Sequence, residues 1–156
     1  MLSIAYYIAF FFSALAFLMN VIHRKAFEFV SALAALIAGL CSLIIITWNT
    51  GHLPVFGSFE SLMLVSFTLM VPCLFFKGAD GQDEGFKKIV WAEILLLFFI
   101  MLFIPKTPPP DQFDHDDLYI VSFFGFRMLA LGVMLFSSAQ FIRAAGVTEK
   151  RHEYTR

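Results

Sequence analysis

Four side chains are placed to do chemistry: His52, Glu60, Arg127 and His115. An imidazole ligates a metal or haem iron, shuttles a proton, or sits as an ordinary interfacial side chain. A carboxylate in the first turn of a helix interacts with the helix dipole, either as a cap partner or as part of a site. An arginine inside an apolar run faces a partner, a cavity or an anionic group. His52 and Glu60 belong to one polar stretch, Thr50-Gly51-His52-Leu53-Pro54-Val55-Phe56-Gly57-Ser58-Phe59-Glu60-Ser61. Gly51 and Gly57 admit backbone conformations closed to other residues, and Pro54 fixes one φ. Ser58 is expected to cap the following helix, with Glu60 in its first turn.

The elements that position these residues are set by composition. The chain has 156 residues, 60% of them hydrophobic and 15% charged. Soluble domains carry roughly 25% charged residues, so an integral membrane bundle is expected. A helix crosses the hydrocarbon core in about 20 apolar residues. Apolar runs predict five membrane helices at 4–22, 29–48, 59–76, 89–104 and 118–142, in a single helical domain over 1–142. Residues 143–156 form a polar, basic tail, expected to fray. Trp48 closes the second run, where an indole anchors at the headgroup level. Ser31, Ala32, Ala35 and Gly39 recur at helical spacing and predict a close helix contact. Pro72 is expected to kink the third helix.

Basic residues cluster at one end of the runs: His23-Arg24-Lys25, Lys77, Lys87-Lys88, Arg143, Lys150, Arg151 and Arg156. The other side holds only Lys106 among many acids. The positive-inside rule then predicts an external N-terminus, a cytoplasmic C-terminus and an external Thr50–Ser61 stretch. Localisation in a bacterial cytoplasmic membrane is expected. A cleavable leader is not, because no basic segment precedes the first run.

Gly51-His52-x-Pro54 followed by Glu60-Ser61, between two apolar helices, resembles the G-H-x-P-x-x-N-x-Y-E-S segment of the cytochrome c assembly family. These are the haem-handling membrane proteins of the ResC/CcsA type. Phe59 stands in place of the family's Tyr, and Gly57 in place of its Asn. The resemblance covers about Trp48 to Phe67. It implies haem handling at the outer face, with His52 and Glu60 shaping that surface and Arg127 facing the bundle interior. The family's tryptophan-rich WWD loop is absent, since the only tryptophans are Trp48 and Trp91. The helix from Leu118 opens without the family's histidine, although His115 stands a few residues earlier. The resemblance therefore implies the N-terminal half of such a protein. Haem would be held through a partner bearing the haem-lyase half, with c-type cytochromes as clients. The alternative is a non-catalytic membrane subunit of a respiratory complex, anchoring cytochrome or quinone-reactive partners.

Arg127 falls about ten residues into the fifth run, roughly 15 Å deep at 1.5 Å per residue, which predicts a position near the midplane. Glu93 interrupts the fourth run, and an Arg127–Glu93 ion pair is the structural alternative to a ligand contact. No histidine falls inside an apolar run, which argues against a self-contained bis-histidine haem site. Cys41 and Cys73 lie in apolar runs without a CxxC, as small buried hydrophobes do. The acids Asp111, Asp114, Asp116 and Asp117 lack EF-hand spacing and read as a solvated loop. No nucleophile–base pair or phosphate loop appears, so catalysis by this chain alone is not expected. A net charge of −1 gives no reason to expect a nucleic-acid partner. An inverted repeat, the mark of many carriers, is not evident.

Overall fold

The computed structural model describes residues 2–51, 53–75, 83–104 and 118–154. Regular structure among them is entirely helical: α1 (Leu2–Val21), α2 (Lys25–Thr50), α3 (Ser58–Phe75), α4 (Asp83–Met101) and α5 (Leu118–Tyr154). Four helices, α1, α2, α3 and α5, are long and apolar enough to cross a membrane, so this is an integral membrane protein. α4 falls short of that apolarity because its 19 residues include Asp83, Glu84, Lys87, Lys88 and Glu93. The five expected elements are therefore all present as helices, four of them of spanning character.

α1, α2, α3 and α4 form a ring in which each packs on the next and α4 closes back on α1. α5 lies outside the ring against α3 and α4. The α1–α2 pairing is the most extensive. On α2 the residues Ser31, Ala32, Ala35, Ala38, Gly39 and Ser42 are all buried, as their helical spacing predicts. Short side chains let backbones approach closely where lipid supplies no hydrophobic drive between helices. The buried serines of α1 and α2 stay satisfied within their own helices. Ser13 donates to the Ala9 carbonyl at 2.8 Å and Ser42 to the Ala38 carbonyl at 2.9 Å. Gly39 meets Phe67 and Met70 of α3, where an added Cβ would stand 3.7 Å from the Phe67 ring.

Tyr6 of α1 marks the centre of the aromatic packing. It is fully buried, its ring lies against Phe10, Phe59 and Phe98, and its hydroxyl donates to the Phe98 carbonyl of α4. The helix ends follow local rules. Gly51 closes α2 in the left-handed conformation at φ +72°, and its N–H donates to the Thr47 carbonyl at 2.9 Å. α1 ends on a non-glycine equivalent. His23 sits at φ +62°, and the Arg24 N–H reaches back to the Met19 carbonyl at 2.9 Å, a Schellman-type closure. His23 is exposed, as a flank residue should be.

Several expectations change in detail. α3 runs through Pro72 to Phe75, with Pro72 in its last turn. The segment after Arg143 continues α5 as helix to Tyr154 instead of fraying. Intrahelical hydrogen bonding does not stop where apolarity stops, and Arg, Ala, Glu and Lys are good helix formers. Cys73 is buried but Cys41 is exposed on the outer side of α2.

Candidate functional site

The connection from α2 to α3 is a built structure. Pro54, Val55, Gly57, Phe59, Glu60 and Ser61 are all buried. Two side chains hold it in shape. Ser61 Oγ donates to the Val55 carbonyl at 3.0 Å, and the Gly57 N–H donates to Glu60 Oε2 at 3.2 Å. The Ser61 N–H also donates to the Gly57 carbonyl at 2.8 Å, which makes Gly57 the capping position. Ser58, expected there, is instead the first residue of α3. The displacement has a steric cause. A Cβ on Gly57 would lie 3.2 Å from Glu60 Cδ, so the glycine leaves room for the carboxylate to fold back. Glu60 is 5% exposed and acts on the loop and helix start from beneath. That is the reciprocal arm of a capping box, placed where the helix dipole favours a negative charge.

The loop forms one wall of a cleft of about 310 Å³, and α5 forms the other. Ser58, Ser61 and Leu62 line it from α3, and Phe124, Arg127 and Met128 from α5. Phe56 of the loop meets Phe124 edge to face, with ring centroids 5.5 Å apart. Arg127 lies on the ridge between this cleft and an outer groove formed with Ser122, Phe123, Phe126 and Ala130. Its side chain is exposed and has no ion-pair partner among the described residues.

One expectation for Arg127 is overturned: its side chain is exposed and does not face the bundle interior. It lines the cleft together with Ser58 and Ser61 of α3. The Arg127–Glu93 ion pair is not formed either. Glu93 Oε1 lies 3.0 Å from Ser138 Oγ, eleven positions and about 16 Å further along α5. Glu93 Oε2 is buried with no partner among the described residues.

His52 and His115, and the acids at Asp111, Asp114, Asp116 and Asp117, lie outside the described residues. Among the described residues, no three His, Cys, Asp or Glu side chains gather as a metal site. Sequence reasoning missed the cleft itself. Its signal was present only as the pairing of Phe56 with Phe124, residues 68 positions apart that nothing local connects.

Fold and cleft together define a helical integral membrane protein with a largely apolar cleft, edged by Ser58, Ser61 and Arg127, at one end of its bundle. Comparison with known protein families, with curated proteins and with solved structures finds no match for this chain.

Proposed function

We propose that the protein is a partner-dependent haem-handling component of cytochrome c assembly, of the ResC/CcsA type, working in a bacterial cytoplasmic membrane. One observation supports the reading above others. Val55, Phe56, Ser58 and Ser61, from the segment that carries the resemblance, form one wall of a cleft whose opposite wall presents Arg127, without an ion-pair partner among the described residues. A guanidinium beside a serine-bearing helix start suits a carboxylate such as a propionate. Ligand pockets span about 300–1,000 Å³. At about 310 Å³ the cleft takes an acidic side group and adjoining apolar edge, and not a whole macrocycle. The rest of such a ligand needs a further surface, supplied in this reading by a partner. In this reading Arg127 binds the acidic group and Glu60 fixes the loop, while His52 lies outside the described residues.

A second reading rests on α5. Its outer side exposes Phe126, Val133, Met134 and Phe141, and its membrane segment is the least buried of the four spanning ones. That suits a non-catalytic subunit of a respiratory complex, anchoring redox partners.

Purification in mild detergent, with the visible spectrum recorded and partners identified by mass, separates the two. A Soret band diminished by Arg127→Leu and His52→Ala supports haem handling. Stoichiometric redox partners without haem favour the subunit. Neither haem nor partner removes both readings.

A further inference from the structure

At the end of the bundle away from the Arg127 cleft, α2, α3 and α4 line a narrow cavity of about 30 Å³. Glu28 of α2, Cys73 of α3, and Lys87 and Trp91 of α4 line it. Trp91 is 1% exposed, yet its indole Nε1 has no hydrogen-bond partner among the described residues. A buried donor without an acceptor is costly, and native structures rarely leave one bare. Glu28 is also buried, at 9% exposed. No direct ion pair joins it to Lys87 among the described residues, although both reach the same void.

The lining decides what belongs there. The indole N–H and the lysine ammonium only donate, and an ionised carboxylate only accepts. Glu28 and Lys87 carry opposite charges, so the void has no formal charge excess to hold an ion. A water needs about 10–15 Å³ and two to four polar partners, and apolar voids are the ones that stay dry. We infer that this void holds one ordered water, which accepts from Trp91 Nε1–H and Lys87 and donates to the Glu28 carboxylate. α2 and α4 stand diagonally in the ring, without a close approach of their backbones. The water is then the polar tie across that diagonal. It is independent of the haem reading.

The test uses the full chain, tryptophan-labelled with nitrogen-15, in lipid nanodiscs. Its two indole signals, from Trp48 and Trp91, are assigned with Trp91→Phe. Magnetisation transfer from water to each indole proton is then measured. The Trp91 proton is expected to show a direct cross-peak to a long-lived water. That cross-peak should persist in Lys87→Met, because Glu28 and Trp91 still hold the molecule. It should vanish in Cys73→Met, which fills the void. Absence in the wild type, with the amide spectrum of a folded protein, overturns the inference. So does loss in Lys87→Met, which would trace the signal to ammonium protons, or survival in Cys73→Met, which would place the water elsewhere.

Discussion

Glu93 of α4 accepts a hydrogen bond from the Ser138 hydroxyl of α5 at 3.0 Å, tying the two helices together. Ser138 Oγ also lies 2.7 Å from the Leu135 carbonyl, so one hydroxyl proton serves two acceptors. The second carboxyl oxygen of Glu93 is buried with no partner among the described residues. Ser138→Ala removes the remaining partner and should destabilise the protein by about 1–3 kcal/mol. Glu93→Leu in the same background should recover most of that loss, because an apolar pair leaves nothing unsatisfied. Thermal unfolding in mild detergent reads both changes. Equal stability of Ser138→Ala and wild type would show that the contact carries no weight.

Glu60 offers a separation of cap from ligand chemistry. Glu60→Ala removes the acceptor for the Gly57 N–H and should cost about 1 kcal/mol. Glu60→Gln keeps an acceptor and should retain most of the stability while losing the charge. If Glu60→Gln abolishes activity at near-native stability, the charge has a role beyond the cap.

Gly132 of α5 is a contact point with α3. A Cβ there would stand 3.2 Å from Thr68 Cγ2. Gly132→Val should therefore push the helices apart, at a cost of about 1–3 kcal/mol. Thr68→Ser removes the opposing methyl and should restore part of it. A double-mutant cycle in melting temperature measures the coupling. Strict additivity of the two changes would mean that α5 does not rest on Thr68.

Tyr6→Phe keeps the ring packing and removes the hydroxyl bond to Phe98. The expected loss is about 0.5–1.5 kcal/mol, the net worth of one hydrogen bond. Tyr6→Ala should cost about 3–5 kcal/mol, because it also opens a cavity against Phe59 and Phe98. Similar melting temperatures for the two variants would move the core away from Tyr6.

The helices were legible because apolar run length reports directly on lipid solvation. Their ends were not: Asp83–Lys88 and Arg143–Tyr154 are polar yet helical, since backbone bonding continues regardless of what the side chains prefer. The small-residue face of α2 was legible from spacing alone. Glu60 was readable as a cap partner, but its true partner, Gly57, was hidden by the stronger local preference of Ser58 for that position. Arg127 was noticed for its cost, and its facing was misjudged, because the sequence of one helix does not say which of its sides the neighbours cover. The cleft joins residues from two helices far apart in the chain, and only packing places them together.

α4 is at once the most charged helix of the ring and one of its most enclosed, with Val90, Trp91, Ile94 and Phe98 almost without exposure. Charged residues at a helix centre cost about 2.5–3.5 kcal/mol each on insertion scales, less near the ends. As a nascent segment leaving the ribosome, α4 is poorly suited to partition into lipid alone. Its stable residence depends on α1 and α3, already synthesised, and on α5, which follows and supplies Ser138 to Glu93. Biogenesis thus has an order written into the packing: the earlier helices prepare a berth for α4, and the last one seals it.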